Sequence, residues 1–172
     1  MNAGRVSGCL RKSVGVYIHI PFCKKRCSYC DFISFENKQN EIEEYVSAII
    51  KEIKTVGAGF HTCPEKLPKN IYEINTIYIG GGTPSYIESK YIEEILNTIK
   101  KEFKVAENAE ITIEVNPGTV NKEKLQTYYN VGVNRLSIGM QSTNNEELKL
   151  IERIHTYEEF LNTYELASEV RI

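Results

Sequence analysis

Strand patterns and helix patterns alternate along this chain, and this alternation limits the possible folds more than any other feature. Short apolar runs predict strands, and apolar residues at helical spacing predict the helices between them. The predicted strands cover residues 14–20, 75–79, 110–115 and 134–138. The predicted helices cover residues 41–56, 89–103, 122–130, 145–154 and 157–169. Such a chain forms an α/β fold, a parallel sheet with helices outside it. Right-handed crossovers leave two architectures, a barrel-like curve or an open doubly wound sheet.

The chain of 172 residues is long enough for one domain with a hydrophobic core. Residues 1–13 are predicted to be an N-terminal extension, and residues 14–172 the core domain. Residues 57–74 show no clear pattern and are predicted to be a surface insertion. Four strands do not close a barrel. The chain also stops where a fifth strand would begin. We therefore expect a fragment of a larger protein that lacks the later strands and the C-terminal region.

Composition excludes several classes of protein. The net charge of -2 does not suggest nucleic acid as a partner. No apolar run approaches the roughly 20 residues of a membrane helix, and the first residues do not resemble a secretory signal. Five cysteines, three of them close together, indicate metal or redox use in a reducing compartment rather than a disulfide framework. The predicted location is the cytoplasm.

Three of the cysteines, Cys23, Cys27 and Cys30, follow the first predicted strand with C-x3-C-x2-C spacing. One short loop with this spacing can present three thiolates to an iron–sulfur cluster. A [4Fe–4S] cluster held by three cysteines keeps its fourth iron open for another ligand, as a catalytic zinc keeps an open position. The alternatives are a structural zinc site, with Cys63 or His61 as the fourth ligand, and three buried thiols without a metal.

Further polar signals follow the other strands. Residues 80–83, with three glycines, come after the second strand, Glu114 and Asn116 mark the end of the third, and Gln141 follows the fourth. Arg153 is predicted to lie on a helix that returns over the same end. Each of these residues alone has an ordinary structural explanation. Together they fall at the carboxyl ends of successive strands, where β/α barrels build their active sites.

Glu114 is also expected to be buried. Parallel strands are normally buried on both faces, so Glu114 is predicted to point into the middle of the protein. A carboxylate in that environment needs a partner or a ligand.

At this point four segments resemble a known family: "YIHIPFCKKRCSYCDF", "GGGTPS", "EVNPGTV" and "GVNRLSIGMQS". They resemble the radical S-adenosylmethionine (SAM) enzymes of the oxygen-independent coproporphyrinogen III oxidase-like group, whose superfamily signature is C-x3-C-x2-C. The resemblance runs from about Gly15 to about Ser168 and covers the first half of the family's usual length. It implies a partial (β/α) barrel of the radical SAM type, here truncated after about four β/α units.

The resemblance also implies the ligands. Cys23, Cys27 and Cys30 would bind three irons of a [4Fe–4S] cluster, and SAM would bind the fourth. Tyr17 and Tyr29 would pack near the cluster and SAM. The other SAM-binding positions implied by the motifs are Gly81, Gly82, Thr83, Glu114, Gln141 and Arg153. An electron from the cluster would cleave SAM to methionine and a 5'-deoxyadenosyl radical.

Within this group, the true oxidases resemble C-x3-C-x2-C-x-C, and here Phe32 stands at the position of the fourth cysteine. This difference favours the HemW branch, which is similar to haem chaperones. The alternatives are a coproporphyrinogen III oxidase of porphyrin biosynthesis and, in another class, a non-catalytic zinc-stabilised domain. The implied partners are SAM, haem or a porphyrin, a haem-accepting protein and an electron donor. His19 is predicted to support the cysteine loop rather than to bind haem. Because strands are missing, we expect the chain by itself to be inactive.

Overall fold

The structure is a computed structural model that describes residues 12–61 and 72–172. The predicted N-terminal extension, apart from its last two residues, and the middle of the predicted insertion lie outside these residues. Four strands form the main sheet, and two very short strands pair beside it. The strands are β1 (Lys12–Ile20), β2 (Phe22–Cys23), β3 (Phe35–Glu36), β4 (Tyr72–Gly81), β5 (Val105–Val115) and β6 (Arg135–Ile138).

Five helices connect or follow the strands: α1 (Ile42–His61), α2 (Ser89–Glu102), α3 (Lys122–Asn130), α4 (Asn145–Leu150) and α5 (Tyr157–Val170). The predicted order of long strands and helices is therefore confirmed. Single 3-10 turns precede α1 and α2. Within the described residues, no helix combines the length and the apolar character needed to cross a membrane.

The structure corrects the prediction in three places. The predicted insertion is shorter, because α1 continues to His61 and β4 begins at Tyr72. Helix α4 ends at Leu150 rather than at residue 154, and Glu152 then adopts a left-handed backbone with φ of 58°. Arg153 therefore lies in the turn between α4 and α5, not on a helix. The pair of β2 and β3 was not predicted, because two-residue strands leave no periodic pattern.

The main sheet has the order β1-β4-β5-β6, and all of its pairs are parallel. In this register Ile18 lies beside Ile79, and Ile79 lies beside Ile113. Isoleucines thus form a continuous row across the sheet. They pack against the buried faces of α1, α2 and α3 in one core. Full burial of each such side chain contributes about 1.5–3 kcal/mol.

The opposite face of the sheet corrects the expectation that both faces are buried. It carries Tyr17, Tyr78 and Glu114, all of which remain partly or largely exposed. The Tyr17 and Tyr78 rings stack with centroids 6.1 Å apart. This face is therefore polar and accessible, and Glu114 lies at the edge of a pocket rather than in the core.

We expect Ile113→Ala to lower the free energy of unfolding by about 2–5 kcal/mol, because the side chain is 0% exposed in the middle of the sheet. Urea unfolding followed by circular dichroism measures this loss. Leu150→Ala is the control, since Leu150 is 80% exposed, and its effect should stay within about 0.5 kcal/mol. Equal losses in the two variants would contradict this account of the core.

Candidate cofactor site

A pocket of about 200 Å³ opens at the carboxyl ends of the strands. The loops after β2, β4, β5 and β6 and the turn after α4 all contribute side chains to it. All the residues predicted from the sequence except Tyr17 line this pocket: Cys23, Cys27, Tyr29, Cys30, Gly81, Gly82, Thr83, Glu114, Gln141 and Arg153. The parallel register therefore brings together residues that are up to 130 positions apart in sequence.

The three cysteines of the loop are free thiols. Cys23 is buried at the end of β2, whereas Cys27 and Cys30 are partly exposed. The Cys30 amide donates to the Cys27 carbonyl at 3.0 Å, which closes a tight turn between them. The Thr83 hydroxyl lies 3.5 Å from the Cys23 sulfur. Burial raises the pKa of the Cys23 thiol, and the Thr83 hydrogen bond opposes that rise.

The three thiols of the loop do not converge on one point. Within residues 12–61 and 72–172, no three His, Cys, Asp or Glu side chains are grouped closely enough to hold one metal ion. In an iron–sulfur cluster each thiolate binds a different iron, so the sulfurs need not converge on one point. The predicted fourth zinc ligands cannot be placed, because Cys63 and the side chain of His61 lie outside the described part of the chain.

The cysteine loop is fixed at both of its ends. The short strands β2 and β3 pair in parallel, and the Phe35 amide donates to the Pro21 carbonyl at 2.7 Å. His19 Nε2 donates to the Ile33 carbonyl at 2.8 Å, and His19 Nδ1 accepts from the Tyr17 hydroxyl at 2.9 Å. The prediction that His19 supports the loop is confirmed.

Two glycines, the last residue of β4 and the residue after it, let the backbone approach the cysteine loop. Gly81 has a φ of 122°, which side chains of L residues rarely allow. A Cβ on Gly82 would lie 2.8 Å from the Cys23 sulfur and 3.0 Å from the Pro21 backbone. Any larger residue at position 82 would therefore displace the first cysteine of the loop.

Glu114 has the partners that its position was predicted to require. It accepts from the Gly81 amide at 3.0 Å and from the Tyr78 hydroxyl at 2.8 Å. Burial, and then this hydrogen bond, raises the pKa of Tyr78, so that the hydroxyl keeps its proton and donates it to the carboxylate. Tyr17 does not line the pocket; its ring stacks on Tyr78, and burial and then the nearby Glu114 charge raise its pKa.

The Arg153 side chain makes polar contacts with groups from several loops around the pocket. Its Nη2 donates to the Asn116 Oδ1 at 3.0 Å and to the Gly139 carbonyl at 2.9 Å. Its Nη1 lies 3.5 Å from the Cys27 sulfur. The Asn116 amide nitrogen in turn donates to the Thr83 hydroxyl at 3.0 Å. A continuous chain of hydrogen bonds therefore joins the sulfurs of Cys23 and Cys27.

His155 completes this chain on the other side of Arg153. The Arg153 Nε donates to the His155 Nδ1 at 3.2 Å, and the His155 Nε2 lies 3.1 Å from the Met140 carbonyl. Because arginine can only donate and a carbonyl can only accept, His155 must be neutral with its proton on Nε2. Burial and the nearby Arg153 charge both lower the pKa of His155, which agrees with a neutral ring.

Sequence reasoning did not assign functions to Asn116 and His155, although the structure places both in contact with Arg153. The only signals for them were Asn116 in the turn after a strand and His155 two positions after an arginine. Gln141, which was predicted, lies on the exposed rim with a φ of 66°. That left-handed backbone is uncommon outside glycine and occurs often at functional turns.

Comparison with known proteins places these residues in a family. The family model described as the radical SAM superfamily matches residues 17–172. A protein named heme chaperone HemW from Buchnera aphidicola subsp. Schizaphis graminum is 41% identical over 147 residues, which is 85% of this chain and 37% of that protein. The protein of the same name from Escherichia coli strain K12 is 38% identical over 157 residues, 90% of this chain and 39% of that protein. The chain thus spans 37–39% of the length of these relatives.

Solved structures give the same result for the fold. The structure described as coproporphyrinogen III oxidase (HemN) from Escherichia coli, a radical SAM enzyme, matches with a TM-score of 0.80 and 28% identity. The match covers 94% of this chain and 35% of that chain. Methylornithine synthase (PylB) matches with a TM-score of 0.50 and 19% identity, which supports the fold alone. The predicted partial-barrel fold class is confirmed.

The lowered pKa of His155 predicts a pH dependence. A histidine whose pKa falls on folding contributes stability above its unfolded pKa of about 6.5. That contribution is lost as the pH falls through the folded pKa. We therefore expect the stability advantage of the wild type over His155→Asn to be constant above pH 7 and to shrink between about pH 7 and pH 5. Urea unfolding of both proteins across this range measures it. A difference that does not change with pH would show that His155 is not buried as a neutral ring.

Proposed function

Because this chain belongs to the radical SAM superfamily, we propose that it binds a [4Fe–4S] cluster and SAM in the pocket at the carboxyl ends of its strands. We further propose that it is part of a haem chaperone of the HemW type. The observation that carries the first proposal is the group of three free thiols that line one pocket together with Glu114 and Arg153.

The cysteine loop is the part of the chain that would hold the cluster. Cys23, Cys27 and Cys30 provide three thiolates, which leaves one iron for another ligand. When bound, the cluster would supply a single low-potential electron. The protein's own part is to fix the loop through His19 and Phe35 and to keep one side of the pocket dry through the buried Cys23 and Thr83.

The groups around the pocket match the chemistry of SAM. SAM carries an amino-acid end with a carboxylate, together with hydroxyl groups and a cationic sulfonium. The Arg153 guanidinium suits a carboxylate, and the Glu114 carboxylate suits hydroxyl or cationic groups. The glycines at 81 and 82 allow a ligand to approach the backbone closely. Tyr29 and Gln141 lie on the open rim, where they can contact the ligand's outer side.

The haem-chaperone part of the proposal rests on the relatives and on one residue. The curated relatives named above are heme chaperones. Phe32, at the position where the oxidases resemble a fourth cysteine, is 65% exposed at the mouth of the pocket. A haem-accepting protein and an electron donor are the partners that this function requires. A cytoplasmic location is part of the proposal, since free thiols stay reduced there.

The second candidate function is porphyrinogen oxidation. The structural match to a coproporphyrinogen III oxidase, with a TM-score of 0.80, favours it. The two candidates differ in the ligand beyond SAM, which is haem for the chaperone and a colourless porphyrinogen for the oxidase.

Anaerobic reconstitution with iron and sulfide tests the cluster. We expect about four irons and four sulfides for each wild-type chain, an EPR signal after reduction, and a change in that signal when SAM is added. Cys23→Ser, Cys27→Ser and Cys30→Ser should each lose most of the iron, because each removes one of three ligands.

The matched controls are Cys9→Ser and Cys63→Ser, which remove cysteines outside the loop and should load iron normally. Binding of one zinc without sulfide would instead support the zinc-stabilised domain. Loss of iron in Cys63→Ser would also show that the ligand set is different from the one proposed.

A ligand titration separates the chaperone from the oxidase. We expect hemin to produce a saturable shift of the Soret band with the reconstituted chain. Coproporphyrinogen III, incubated with SAM and a reductant, should yield no protoporphyrinogen from this chain under either candidate function, so hemin binding is the result that supports the chaperone. Conversion of coproporphyrinogen together with no saturable hemin binding would overturn the chaperone proposal in favour of the oxidase.

A further inference from the structure

The turn between α4 and α5 is fixed on both sides of Arg153. The Arg153 amide donates to the Leu148 carbonyl at 2.8 Å, which ties the turn to α4. Thr156 and Glu159 form a capping box that fixes the first turn of α5. The backbone at positions 153–155 therefore has little freedom, and the side chains of Arg153 and His155 leave it in set directions.

The Arg153 guanidinium donates hydrogen bonds to acceptors on three different residues. Nη2 is held by Asn116 and by the Gly139 carbonyl, and Nε is held by His155. Nη1 is directed at the Cys27 sulfur at 3.5 Å, and Tyr29 hydrogen-bonds to both Arg153 and Cys27 beside it. Because the fork is planar and rigid, fixing Nε and Nη2 also fixes the direction of Nη1.

His155 is suited to orient the fork rather than to fill space. The side chain is 4% exposed, and both of its ring nitrogens have partners. The Met140 carbonyl holds the proton on Nε2, which keeps a lone pair on Nδ1 for the Arg153 Nε. Loss of a residue that orients a metal-binding group commonly changes the affinity or activity of the site by about 10–100-fold.

We propose that His155 is a positioning residue for Arg153 and that, through Arg153, it sets the hydrogen bond to the Cys27 sulfur. Hydrogen bonds to cysteine sulfurs are one of the means by which a protein tunes an iron–sulfur cluster. A donor held against the Cys27 sulfur favours the reduced, more negative cluster. The positioning of Arg153 belongs to the chain itself, whereas its effect on the cluster rests on the proposed function.

Two variants separate the roles of the ring nitrogens. In His155→Asn the amide oxygen can take the place of Nδ1, because both atoms are bonded to Cγ, so the acceptor for Arg153 is kept. In His155→Gln the longer amide can reach the Met140 carbonyl but leaves the Arg153 Nε without its acceptor. If His155 acts by positioning Arg153, the Asn variant should resemble the wild type. If His155 only fills space, the Gln variant should resemble the wild type at least as well as the Asn variant does.

The first measurement uses the chain without a cluster. Nitrogen-15 NMR of the wild type should show the Nε2-protonated tautomer of His155 and slow exchange of the Arg153 Nε–H with water. That exchange should become at least about 10-fold faster in His155→Gln and should stay near the wild-type rate in His155→Asn. An Nδ1-protonated ring, or equal exchange rates in both variants, would overturn the proposal.

The second measurement uses the reconstituted chain without SAM, with the cluster's redox state followed by EPR at a fixed applied potential. We expect the ratio of reduced to oxidised cluster to fall about 10-fold in His155→Gln but to change little in His155→Asn. In an Arg153→Lys background, which lacks Nε, the two variants should behave alike. If His155→Gln and His155→Asn gave equal ratios of reduced to oxidised cluster while Arg153 is retained, the inferred effect on the cluster would be overturned.

The two measurements also distinguish this inference from the proposed function. If the wild type binds no cluster but the NMR result is as expected, the proposed function fails and the positioning of Arg153 by His155 stands. If the wild type binds a cluster but the NMR spectra do not show the expected tautomer and exchange rates, the proposed function stands and this inference fails.

Discussion

The parallel register of the main sheet is the constraint on which the rest of the structure depends. Because β1, β4, β5 and β6 run in one direction, their carboxyl ends meet at one edge, and every loop that follows a strand begins there. The apolar row of isoleucines holds this register, since a slip of one residue would turn those side chains toward water. The pocket is thus a consequence of the same packing that makes the core.

The polar groups of the pocket are joined by connected hydrogen bonds rather than by isolated pairs. Glu114 draws donors from Gly81 and Tyr78, and Arg153 divides its donors among Asn116, Gly139 and His155. A partly buried guanidinium or carboxylate without partners would be costly, so these contacts stabilise the pocket. The same contacts fix the directions in which Glu114 and Arg153 face the pocket.

Much of the site could be predicted from the sequence because its signals are local. Cys23, Cys27 and Cys30 sit on one loop at a recognisable spacing, and Glu114 follows the alternation of its strand. Asn116 was marked only as a polar residue after its strand, because its partner Arg153 is 37 residues away. His155 is two positions from Arg153, but its orientation depends on the Met140 carbonyl, which is 15 residues away. The end of α4 was also missed, since the left-handed residue Glu152 has no special sequence signal.

The amino-acid sequence by itself determined the order of strands and helices, the apolar face of each and the identity of the thiol loop. These depend on periodicity and spacing, which act over a few residues. Tertiary structure alone decided that, in the described part of the chain, α1, α2 and α3 pack on one face of the sheet and Tyr17 stays outside the pocket. It also decided that Arg153 points at Cys27 between Asn116 and His155. These features depend on distances between residues far apart in the chain, and only the packed register of the sheet sets those distances.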